Sequence, residues 1–71
     1  MEKIIIKNRV KLARIEADMT QQQLADHIGV TRQTIGLIEA QKYNPTIHIC
    51  LLIAQTTQKK LDQLFYIKGD Q

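Results

Sequence analysis

Gln21-Gln22-Gln23-Leu24-Ala25-Asp26-His27-Ile28-Gly29-Val30-Thr31-Arg32-Gln33-Thr34-Ile35-Gly36-Leu37-Ile38-Glu39-Ala40 is the stretch on which the reading of this chain turns. Thr20 stands before it as a helix N-cap, because a threonine hydroxyl can take one of the N–H groups that a first turn leaves unpaired. Leu24, Ala25 and Ile28 share one face at helical spacing, and Gly29 ends that helix by adopting a positive φ at little cost. Thr31 caps a second helix, with Ile35 and Ile38 one turn apart. Two short helices that cross steeply need a small residue where they meet, and Ala25 supplies it. The turn must also be pinned to the core, which is the place of Val30. With Leu24, Ile28, Ile35 and Ile38 turned inward, Arg32, Gln33, Gly36 and Leu37 remain outside.

The outward chemistry gives this αα-corner a purpose. A helix pair joined by a glycine turn is the helix-turn-helix unit, here residues 21–40, whose second helix (32–40) lies in a DNA major groove. Arg32 can fork onto guanine O6 and N7, and Gln33 onto adenine N6 and N7. Both stand at the start of the second helix, where base-reading side chains project. A merely solvated helix would favour Glu and Lys over this Thr-Arg-Gln-Thr run. Gln21 and Gln22 open the preceding helix, where free N–H groups and an amide can hold a phosphate.

Outward from that unit, Ile4-Ile5-Ile6 and Phe65-Tyr66-Ile67-Lys68 read as short strands near the two ends, able to pair as a small antiparallel ribbon. Asn8 is expected to cap a first helix with Val10, Leu12, Ala13 and Ile15 on its apolar face, ended by Asp18-Met19. Tyr43-Asn44-Pro45 is a turn, and Thr46 caps a strongly apolar helix from Ile47 onward. Leu61, Leu64 and Phe65 fit a last short helix, with Thr56 or Thr57 as its cap. The expected architecture is all-α in the main: five helices in one domain, 1–71, with a possible ribbon from the termini.

Composition bounds the alternatives. The 71 residues are 44% hydrophobic, which suits a folded domain rather than a disordered chain, and carry a formal charge of +3, compatible with nucleic acid. No apolar run nears the roughly 18 residues that cross a bilayer, and Met1 to Lys7 lacks the features of a signal peptide. Cys50 is the single cysteine, so no internal disulfide forms and a cytoplasmic setting is expected. His48 and Cys50 stand two apart, on different sides of a helix, and no metal-ligand spacing occurs. Neither a catalytic nucleophile with its base, nor a carboxylate pair, nor a phosphate loop is evident. No enzyme activity, cofactor or metal is expected.

On the residues Thr20-Gln21, Leu24-Ala25, Ile28-Gly29-Val30, Thr31 to Ile35 and Ile38-Glu39, the chain resembles the Cro/CI-type (XRE) helix-turn-helix family. With Lys42 to Thr46 and the terminal segments, it is similar to that family's short members of the cytolysin-operon-repressor type. The resemblance implies a five-helix, lambda-repressor-like fold and a homodimeric transcriptional regulator. It further implies base reading by Arg32 and Gln33 with Thr31 and Thr34 nearby, and a phosphate clamp at Gln21. Lys42, Tyr43 and Asn44 would lie along the DNA backbone, and Arg14 would pair with Glu39 as a structural ion pair. Gly36-Leu37 departs from the family, which often has a polar residue at the first of these positions. Either the glycine permits close approach with Leu37 on a thymine methyl, or the contact is simply lost.

The expected function is a repressor that binds a two-fold-related operator in double-stranded DNA as a homodimer, because one module reads too few bases for tight specific binding. Thr57, Leu61 and Leu64 are the expected dimer-interface residues. A different class of function, an antitoxin-like interaction module whose DNA contacts serve autoregulation, lacks the added tail such a protein would use to grip its partner.

Overall fold

A computed structural model describes residues 4–69. The elements run β1 (Ile6–Asn8), α1 (Val10–Glu16), α2 (Gln21–Ile28), α3 (Arg32–Glu39), α4 (Ile47–Thr57), α5 (Leu61–Leu64) and β2 (Phe65–Ile67). The protein is therefore a five-helix fold with a two-stranded antiparallel ribbon, as the sequence implies.

Threonines start the three longest helices. Thr20 Oγ1 accepts the Gln23 N–H at 3.0 Å while Gln23 Oε1 accepts the Thr20 N–H at 2.8 Å, a reciprocal capping box. Thr31 takes the Thr34 N–H at 3.2 Å and Thr46 the Ile49 N–H at 3.3 Å. Each such cap is worth about 1 kcal/mol against alanine. Gly29 ends α2 at φ 77°.

The core is built where the spacing places it. Val10, Leu24, Ala25, Ile35, Ile38, Ile53 and Leu64 are fully buried, and Val30 and Met19 pack against them. Burying one Leu, Ile or Val side chain contributes about 1.5–3 kcal/mol, so this cluster is the main favourable contribution to folding.

Several expectations are corrected. Leu12 and Ile15 are 54% and 52% exposed, because a helix of 7 residues docks through a narrow stripe and Val10 and Ala13, one turn apart, already occupy it. The first strand is Ile6–Asn8 rather than Ile4 to Ile6, with Ile6 opposite Ile67, Lys7 opposite Tyr66 and Asn8 opposite Phe65. Ile5 joins through its carbonyl, which accepts the Lys68 N–H at 2.8 Å. Asn8 precedes the N-cap residue Arg9, yet its Oδ1 still accepts the Val10 N–H at 3.1 Å. Neither Thr56 nor Thr57 caps α5. Thr57 lies in the last turn of α4 with its hydroxyl donating to the Ile53 C=O at 2.8 Å, and Lys60 is the N-cap. The ribbon is fastened to the helices by the Arg9 N–H on the Leu64 C=O and by the Arg9 guanidinium stacked 4.2 Å from the Tyr66 ring centre.

Candidate nucleic-acid interface

Helix α2 buries Ala25 fully, and α3, packed against it, buries Ile35 and Ile38 while turning its other face outward. Arg32 and Gln33, in the first turn of α3, are exposed, as are Thr31 and Leu37; Thr34 and Gly36 are half-buried. The N-terminus of α2 stands beside them, since an Arg32 guanidinium nitrogen lies 3.4 Å from Gln21 Oε1. Capping consumes only the Gln23 N–H in the first turn of α2, so the N–H groups of Gln21 and Gln22 keep no intrahelical partner. The same holds for Arg32 and Gln33 at the start of α3, where Thr31 serves only Thr34. Two helix N-termini with free N–H groups, flanked by one arginine, form a positive, donor-rich surface.

Glu39 organises the ground beneath this surface. Its carboxylate takes Arg14 Nε at 2.7 Å and a second Arg14 nitrogen at 3.3 Å, and the pair is nearly dry, with side-chain exposures of 12% for Arg14 and 4% for Glu39. Arg14 also donates to the Met19 C=O at 2.8 Å, and Gln21 Nε2 donates to Glu39 Oε1 at 3.0 Å. One carboxylate thus ties the end of α3 to α1, to the turn after α1 and to the start of α2. Gln21, expected to be a phosphate clamp, is engaged within the protein. Its amide joins Glu39 to Arg32 and restrains the arginine that heads α3.

Other expected residues fall out differently. Gln22 is exposed and its amide donates to Asp26 at 2.8 Å, one turn along α2. Lys42, Tyr43 and Asn44 are exposed in the loop that leaves α3. A Cβ built on Gly36 meets nothing within 4 Å, so no contact inside the protein requires a glycine there. Leu64 is fully buried and Thr57 almost so, both within the protomer's own core, and neither offers a surface to a second subunit; only Leu61 of that expected set remains accessible. Exposed apolar side chains gather elsewhere: Ile47 and Leu51 on α4 are 63% and 53% exposed. Next to them an open apolar hollow of about 300 Å³ is lined by Ile6, Asn44, Pro45, Ile47, Cys50, Leu61 and Phe65. Burial pushes the Cys50 thiol up, which suits a small core residue. Among the described residues no cluster of His, Cys, Asp or Glu could hold a metal ion, and no helix is long and apolar enough to cross a membrane.

Sequence reasoning missed one pair altogether. Gln41, just beyond α3, is hydrogen-bonded through its side chain to Asn8 of β1. Gln41 carried no signal, since it lies where a glycine would have been noticed, and Asn8 read as a cap alone.

A packed helix pair with a glycine turn and an outward arginine–glutamine tip defines the class of DNA-binding helix-turn-helix proteins. The helix-turn-helix family model matches residues 10–64, and the chain belongs to the XRE-type helix-turn-helix family of transcriptional regulators. An uncharacterized HTH-type transcriptional regulator of Archaeoglobus fulgidus is 37% identical over 66 residues, covering 93% of each chain. The uncharacterized HTH-type transcriptional regulator YgzD of Bacillus subtilis is 33% identical over 65 residues, 92% of this chain and 98% of that one. A crystal structure of a protein from Bacteroides fragilis superposes with a TM-score of 0.80 at 24% identity, over 86% of this chain and 98% of that chain, a likeness of fold. The family consists of regulators, which are generally not enzymes.

Proposed function

We propose that this regulator is a repressor that binds a two-fold-related operator as a homodimer in the cytoplasm, with α3 in the major groove of each half-site. Arg32 reads guanine and Gln33 reads adenine, while Thr31 and Thr34 touch the neighbouring bases or backbone. The N–H groups of Gln21 and Gln22 and the side chains of Lys42, Tyr43 and Asn44 take phosphates on either side. The observation that carries this reading is the exposed Arg32–Gln33 tip at a helix start where Thr31 caps only the Thr34 N–H, held beside the start of α2 by Gln21. The exposed Ile47 and Leu51 and the adjoining apolar hollow support self-association, since water-exposed aliphatic side chains on one face favour burial against a second surface. Two copies double the base contacts and set half-site centres about 34 Å apart.

Selection of bound sequences from a random duplex pool tests the first part. Recovery of a palindrome whose half-sites are one helical turn apart is expected; a pool that stays random would defeat the reading. Sedimentation at tens of micromolar protein tests the second, with a monomer as the defeating result.

A further inference from the structure

The last turn of α3 runs into Gln41, which sits at φ 65° although it is not a glycine. Its backbone makes the paired bonds of a left-handed helix stop, Gln41 N–H to the Ile38 C=O at 3.1 Å and Lys42 N–H to the Leu37 C=O at 2.9 Å. The side chain then reaches back to β1. Oε1 accepts the Asn8 N–H at 3.0 Å and Nε2 donates to the Asn8 C=O at 3.1 Å, so one amide pairs with Asn8 as a neighbouring strand would. Asn8 closes the joint from its own side, with Nδ2 donating to the Ile38 C=O at 2.9 Å. Asn8 is buried and its bond to the Ile38 C=O is shielded from water, while the bonds to the exposed Gln41 are partly buried.

Helix α4 provides an internal control. Gln58 has nearly the same backbone, φ 58°, and the same stop: Gln58 N–H to the Gln55 C=O at 3.3 Å and Lys59 N–H to the Ala54 C=O at 3.0 Å. Its side chain is exposed and makes no hydrogen bond among the described residues. A left-handed residue other than Gly, Asn or Asp is disfavoured. At Gln58 the backbone stop bonds alone offset that, whereas at Gln41 the amide clasp adds to them.

We propose that Gln41 is a positioning residue for DNA binding: by clasping Asn8 it sets the direction in which Lys42, Tyr43 and Asn44 leave α3, and so holds them on the phosphate backbone. The inference rests on α3 being the groove helix. Arg32 and Gln33 lie at the opposite end of α3 and the clasp does not touch them, so its loss lowers affinity without changing base preference.

The test uses the full chain, a duplex recovered by selection and a mixed-sequence duplex, titrated over a salt series. Gln41→Gly and Gln58→Gly both keep the left-handed stop, which glycine accepts freely. Gln41→Asn keeps an amide in a residue tolerant of this backbone, one methylene too short for Asn8. Gln58→Gly should bind as the parent does. Gln41→Gly and Gln41→Asn should each lose about 3- to 10-fold on both duplexes, with a salt slope lower by ~1 and an unchanged ratio between the duplexes. Adding Lys42→Ala to Gln41→Gly should lower the slope no further. A parental slope in Gln41→Gly, or a shifted ratio, would overturn the proposal; a variant that merely populates less folded protein keeps the parental slope and so counts against it. If the parent bound neither duplex, the groove reading would fall first and the clasp with it.

Discussion

The two ends of α3 are built on opposite principles. At its start Arg32 and Gln33 stand in solvent, and among the described residues Arg32 is restrained by one long bond to Gln21. At its finish Glu39 is locked to Arg14 and Gln21, and the next turn of chain is clasped to Asn8. A helix that must present side chains to a partner has to leave those side chains unsatisfied until the partner arrives. It must also be aimed, because a bidentate contact to a base edge tolerates little misdirection. Here the direction of α3 is set at the far end by Glu39 and Asn8, and the end proposed to read bases is left in solvent.

The largest test of that contrast is at the locked end. Glu39→Ala leaves the nearly dry Arg14 guanidinium without its partner, which typically costs ~3–5 kcal/mol. Since small domains are stable by only about 5–15 kcal/mol, thermal unfolding should show a deep fall in Tm. A shift within error would mean that the pair does not lock α3. At the free end the effect should be on binding alone: Arg32→Ala is expected to cost ~1–3 kcal/mol of specific affinity and to relax preference at one base pair, with Tm unchanged. Equal losses on selected and mixed-sequence DNA would remove Arg32 from base reading. Lys42→Ala, beyond the locked end, should weaken every duplex similarly and flatten the salt slope by ~1. The smallest effect is expected at Gly36, between the ends, where alanine finds open space. Gly36→Ala should stabilise the protein by roughly 0.5–1 kcal/mol. Its binding then separates the two readings of this glycine: lost affinity indicates close approach to DNA, and retained affinity indicates that no contact was made there.

Much of the helical framework was legible because its determinants are local. Thr20, Thr31 and Thr46 cap the helices at which they were read, Gly29 adopts the left-handed turn, and Leu24, Ile28, Ile35 and Ile38 are buried as their spacing requires. The polar tip at Arg32 and Gln33 was legible for the same reason, since a helical period assigns the faces. Leu12 and Ile15 misled because they sit off the stripe that Val10 and Ala13 turn inward, and nothing near them in sequence says which stripe of α1 meets the core. Thr57 and Leu64 misled in the reverse sense: they are buried within the protomer, and the exposed apolar residues of α4 are Ile47 and Leu51.

The left-handed stops at Gln41 and Gln58 were not visible either, because neither is a glycine, whereas the end of α1 at Asp18 was read. Periodicity and capping chemistry act within a turn or two of the chain, so residues 20–40 by themselves determined the helix pair, its hinge and its outward face. Where β1 pairs, which side of α1 is covered, and that an amide at Gln41 closes on Asn8, 33 positions away, were decided only when the chain was brought together. Those outcomes depend on which distant groups compete for the same buried surface and the same hydrogen bonds, and no local pattern carries that information.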